Sequence, residues 1–161
     1  MLNISIITAS SIAGIALHSS NVSAGSNFPD SLAPLLVALR KSGYEIKLSS
    51  PPKRGAYGEI DPIKKVIWIE PITIDLGIVR QTLIHESVHA VQACPNGKLS
   101  LVGWDLPMSR VVDLEVSGIL YRNYHRQNFE IEREAFAMQG HPDAINLITK
   151  ELKERCKIKA R

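Results

Sequence analysis

Apolar and polar residues alternate from Tyr44 to Ser49, with Tyr44, Ile46 and Leu48 on one face and Glu45 and Lys47 on the other. That period of two predicts a half-buried strand. Two further short apolar runs, "GAYGEI" and "KKVIWIEP", flank Asp61 and Pro62 and predict a hairpin that ends at Pro71. Upstream, "PDSLAPLLVALRKSGY" predicts a short helix capped by Asp30 or Ser31 and stopped by Gly43. Beyond Pro71 the spacing becomes helical. One helix is expected from a cap at Asp75 to about Ala93, stopped by "PNG" at 95–97, and a second from Ser109 to Arg126. A third covers "FEIEREAFAMQG", and a fourth follows His141-Pro142 with Ala144, Leu147, Ile148 and Leu152 on its apolar side. Strands followed by helices define an α+β domain, a small antiparallel or mixed sheet ahead of a helical half.

Composition supports a packed domain, because 45% of the 161 residues are apolar. The net charge of +3 is concentrated at the end, where residues 150–161 hold six basic and two acidic groups. Lys150 and Glu154 are spaced to pair on a solvated helix face, so no nucleic-acid partner is expected. Residues 1–29 contain no Asp, Glu, Lys or Arg, and 4–17 read "ISIITASSIAGIAL". The run is too short for a stable membrane span but suits a secretory signal over 1–24, with small residues before Gly25. No basic residue precedes it, the one departure from that pattern. Residues 25–161 then form a single exported domain; without cleavage the protein is cytoplasmic. Cys94 and Cys156 pair in an oxidising compartment and remain thiols in a reducing one.

The chemistry is concentrated in "RQTLIHESVHAVQACPNG", residues 80–97. His85 and His89 are four apart, so on a helix both imidazoles face one metal ion. Ile78, Thr82, His85, His89 and Gln92 form one stripe, while Leu76, Val79, Leu83, Val88 and Val91 supply packing. Glu86 is offset around the helix, where it reaches a metal-bound water instead of the metal. This is the H-E-x-x-H arrangement: zinc acidifies the water and Glu86 takes its proton. A third protein ligand is required, and Asp113, Glu115, His125, Glu130, Glu132, Glu134 and His141 are the downstream candidates.

"HESVH" followed by "EREAFA" resembles the gluzincins, metallopeptidases whose third zinc ligand is a glutamate on a later helix. The prenyl-protease-like and the small regulator-cleaving gluzincins carry E-x-x-A-[DN]-x-[FY]-A, which places Glu132 at the ligand position and Ala135 at the small one. Phe136 stands where Asp or Asn belongs and Met138 where an aromatic belongs, so the partner of the first histidine is not identified. The resemblance implies a minimal zincin-like fold, one Zn²⁺ held by His85, His89 and Glu132, catalysis through Glu86, and a peptide or protein substrate.

Periodicity also favours Glu132, which shares a face with Phe129, Ala135 and Phe136, since a carboxylate among apolar neighbours must be paired or coordinated. Glu134, with Ala137 three residues on, is the main rival and Glu115 the third candidate. Tyr121, Tyr124 and His125 are candidates for stabilising an oxyanion, with Tyr57 a weaker one. "AYGEID" is a candidate edge strand for holding an extended substrate. Trp68 and Trp104 read as core or loop anchors. Two other functions compete: an inactive zincin scaffold stabilised by its metal, and a cytosolic gluzincin that cleaves a DNA-bound regulator. Glu86 argues for the enzyme, because a purely structural zinc site has no use for it.

Overall fold

The computed structural model describes residues 28–123 and 128–157. The expected signal segment 1–24, and Tyr124 and His125, lie outside them.

Pro29 accepts the backbone N–H of Leu32, so Asp30–Leu32 form one 3-10 turn leading into helix α1 (Ala33–Lys41). Neither Asp30 nor Ser31 caps α1; Pro34 in its first turn removes one of the donors a cap would satisfy. Leu35, Leu36, Ala38 and Leu39 are buried, and Gly43 at φ 89° turns the chain back.

Strand β1 (Glu45–Leu48) follows, then β2 (Gly58–Asp61) and β3 (Val66–Ile69). The sheet order is β1-β3-β2, with β1 parallel and β2 antiparallel to β3, and Ile46 and Ile60 both opposite Ile67. The sheet is therefore mixed. The expected hairpin is present, tightened by Asp61 Oδ1, which accepts the N–H groups of Ile63 and Lys64. Val66, Ile67 and Ile69 make β3 the buried centre, and β2 is an edge.

The predicted helix starting at Asp75 is two helices. A single turn, α2 (Ile72–Asp75), ends as Gly77 takes φ 68°, and α3 (Val79–Gln92) starts after Ile78 without a side-chain cap. The positive φ at Gly77 breaks the helical path, so Asp75 ends a helix instead of starting one. Leu76 is correspondingly exposed and supplies no packing.

Helix α3 is the hub of the fold, packed against β2, β3, α5 (Phe129–Gln139) and α6 (Ala144–Arg155). Every residue from Leu83 to Cys94 is buried. Leu83, Ile84 and Val88 join Leu32, Leu35, Leu39, Ile67, Ile69, Met138, Ile148 and Leu152 in one core. Helix α4 (Arg110–Asn123) is peripheral, touching α5 and burying Val116 and Leu120 while Val111 and Leu114 face solvent. On α6 the i,i+4 ion pair is Arg155 with Glu151. A disulfide joins Cys94, just past α3, to Cys156, just past α6. No helix among the described residues is long and apolar enough to cross a membrane.

Candidate metal centre

His85 and His89 sit one turn apart in the buried middle of α3, and α5 brings Glu132 against them. The two Nε2 atoms are 3.2 Å apart, and Glu132 Oε2 is 3.2 Å from that of His85 and 3.4 Å from that of His89. A ring nitrogen carries one proton and directs it to one partner, so hydrogen bonds alone do not account for three mutually close atoms. Metal–ligand bonds of about 2.0–2.1 Å in a tetrahedron put ligand atoms about 3.3 Å apart, close to all three separations. The cluster can hold a metal ion.

Electrostatics reinforce the grouping. Burial disfavours the charged form of His89, but its hydrogen bond to Glu132 and the charge of Glu86 outweigh this and raise its pKa to about 9. Burial likewise opposes ionisation of Glu132, yet the two imidazoles lower its pKa to about 2. Without metal, an imidazolium–carboxylate pair holds α3 to α5. A metal cation held by the cluster would take the place of that proton.

Glu86 stays out of the triangle. It is buried, and burial pushes its carboxyl pKa up despite the opposing pull of His85 and His89. Edge strand β2 lies directly against it: a Cβ built on Gly58 would be 2.7 Å from Glu86 Oε1 and 2.8 Å from Thr82 Cγ2. Only glycine allows the β2 backbone to run so close to this carboxylate.

The departures from the gluzincin pattern now have physical content. Phe136, where an Asp or Asn was expected, packs its ring edge-on against His85 at 4.7 Å between centroids. His89 Nδ1 instead has a polar partner, Gln92 Oε1 at 2.7 Å. The amide of Gln92 donates to Ile131 O at 2.9 Å and to Glu134 Oε2 at 2.8 Å. Glu134 also accepts the N–H groups of Val102, Gly103 and Trp104. The rival ligand is thus turned away from the histidines and saturated by a loop. It is also the more buried of the two carboxylates, so burial was the wrong criterion for choosing between them.

The other candidates are elsewhere. Glu115 is exposed on α4, Asp113 is paired with Arg133, Glu130 is exposed at the start of α5, and His141 accepts the N–H of Asp143. Tyr121 is exposed on α4, and Tyr57, beside β2, is exposed as well. Trp68 is half-buried in β3, and Trp104 packs on the core from the loop that Glu134 holds. Gln92 and Gly58 are the residues that sequence reasoning left without a role. The signal for Gln92 was its place three residues after His89, which puts the two side chains on one helix face.

Fold and site define an α+β domain with a buried His-His-Glu cluster that can hold a metal ion. Residues 73–156 match the family described as Domain of unknown function (DUF8637), and the chain belongs to that family. The matched span contains α3 to α6, the whole cluster and both cysteines. No curated protein and no solved structure matches the chain.

Proposed function

We propose that the protein is a zinc-dependent metallopeptidase of gluzincin type, in which His85, His89 and Glu132 hold one Zn²⁺ and Glu86 is the general base. The supporting observation is the near-tetrahedral spacing of the three ligand atoms beside a second carboxylate, the buried Glu86, that takes no part in the triangle. A zinc ion held by His85, His89 and Glu132 would supply Lewis acidity to polarise the scissile carbonyl and acidify a water.

The remaining steps belong to this chain's own side chains. Glu86, its pKa raised by burial, accepts a proton from the attacking water and returns it to the leaving amine nitrogen. A carboxylate with an ordinary pKa is a weaker base near neutral pH. Gly58 lets β2 stand next to Glu86, so an extended peptide added to that edge lies over the base. The disulfide supports export to an oxidising compartment and disfavours the cytosolic regulator-cleaving alternative.

The test is Glu86→Gln, which keeps size and hydrogen bonding and removes the base. Zinc content should remain at one per chain, while hydrolysis of a peptide library by the purified protein falls about a hundredfold or more. Undiminished hydrolysis in the variant rules out Glu86 as base. A wild-type protein that binds zinc and cleaves nothing in the library supports the inactive scaffold instead.

A further inference from the structure

We propose that Gln92 is a positioning residue for the ligand His89 and that Glu134 locks it in place, joining the 102–104 loop and the metal centre in one hydrogen-bonded chain of fixed polarity. This rests on the metal-binding role of His89. Gln92 is fully buried, and its two amide protons face acceptors that cannot donate, the carbonyl of Ile131 and the carboxylate of Glu134. Its Oε1 must therefore point at His89, and the 2.7 Å contact requires that Nδ1 carry the proton. In a neutral imidazole that leaves the lone pair on Nε2, the atom facing His85 and Glu132. A flipped amide would place its N–H₂ against Nδ1 and move the ring proton to Nε2, where it blocks coordination.

Glu134 determines the direction of this chain. Its Oε2 accepts from Gln92 and from Val102 N at 3.0 Å; its Oε1 accepts from Gly103 N at 2.7 Å and Trp104 N at 3.2 Å. Four N–H donors on one carboxylate leave it no alternative orientation. The loop is tied a second time where Ser100 N donates to the backbone carbonyl of Gln92 at 3.0 Å. A carboxylate and an amide buried together cost more than an apolar pair unless their polarity is used. Here it sets the tautomer of a ligand.

The experiment measures zinc affinity, by competition with a chromophoric chelator, for wild type, Gln92→Leu and Glu134→Gln. Nitrogen-15 NMR of the zinc-loaded proteins follows the Nδ1–H proton of His89. Gln92→Leu should weaken zinc about 10- to 100-fold and expose that proton to solvent exchange. Glu134→Gln sets an amide N–H₂ among N–H donors, removes the acceptor that fixes the Gln92 amide, and should weaken zinc in the same direction. Wild-type affinity with a protected Nδ1–H in Gln92→Leu overturns the inference. If that variant does not fold, wild-type affinity with a protected Nδ1–H in Glu134→Gln overturns it. A wild type without zinc affinity removes the metal reading and this inference together, whereas tight wild-type binding with unaffected variants removes only the latter.

Discussion

The α-carbon of Gly58 faces the carboxylate of Glu86 so closely that a single added methyl carbon would sit 2.7 Å from Oε1. That is inside any normal contact distance, and it would also sit 2.8 Å from Thr82 Cγ2. Glycine is needed here for room, not for an unusual φ. Gly58→Ala should push Glu86 from its place and lower kcat/KM about tenfold or more, equivalent to ~1.4 kcal/mol of transition-state stabilisation. Zinc content should be unchanged. Equal activity in the two proteins would show that the strand does not hold the base.

The ligand assignment separates three glutamates. Glu132→Ala should abolish tight zinc binding, since it removes one of three protein ligands. Glu115→Ala, at an exposed position on α4, should leave zinc affinity and melting temperature unaltered. Calorimetric zinc titration of both variants is the check, and retained affinity in Glu132→Ala would reassign the site.

Zinc binding should release a proton. Without metal, His89 has its pKa raised to about 9, burial opposing the rise while Glu132 and Glu86 drive it. The proton on its Nε2 must leave before coordination, so affinity should climb about tenfold per pH unit and level off near pH 9. Glu132, at about 2, is ionised throughout and contributes no proton. In the metal-free protein the sign is opposite. The His89–Glu132 pair gives its full stabilisation between about 4.5 and 6.5; it loses it as pH rises through about 9, where His89 deprotonates, and as pH falls through about 2, where Glu132 protonates. Titrations in buffers of different ionisation enthalpy count the protons released; a count of zero contradicts the scheme.

The disulfide closes a loop of 62 residues between the ends of α3 and α6. Cross-linking a loop of that length restricts the unfolded chain by about 4 kcal/mol in the chain-entropy model. Cys156→Ser should therefore lose about 2–4 kcal/mol in urea unfolding. Wild-type protein under reducing conditions should match the variant, and a variant as stable as the oxidised protein would contradict this.

Tyr44 provides a second pH response. Its hydroxyl donates to Ala90 O, near the end of α3, and burial raises its pKa from 10.0 to about 12. A raised pKa on an acid means that the folded state favours the protonated form. Its stabilisation is complete below pH 10 and is lost as pH rises through about 12. Tyr44→Phe should cost about 1 kcal/mol at pH 7 for the lost hydrogen bond. It should also flatten the alkaline fall in melting temperature; an identical fall in both proteins would point to another group.

What could be read in the linear chain is what short-range spacing controls. The alternation around Ile46 and the apolar runs either side of Asp61 predicted the strands. The four-residue step from His85 to His89 placed two imidazoles on one helix face, because helical geometry alone brings them together. Gly77 was different: a helix pattern continues across it, and only its positive φ shows the break.

The third member of the His-His-Glu cluster was legible as a choice among glutamates, not as a single residue. Glu132 and Glu134 are two apart on one helix, and both occupy sites where a carboxylate must have partners. Apolar neighbours favoured Glu132, yet Glu134 is the more deeply buried and is satisfied by amides some thirty residues earlier in the chain. Which carboxylate meets the histidines depends on how α5 is rotated against α3, and the parallel pairing of β1 likewise depends on where distant elements pack. Local periodicity determined the residues that can share a helix face. Tertiary packing decided which faces meet, because no backbone rule relates side chains forty-odd residues apart until the core between them has formed.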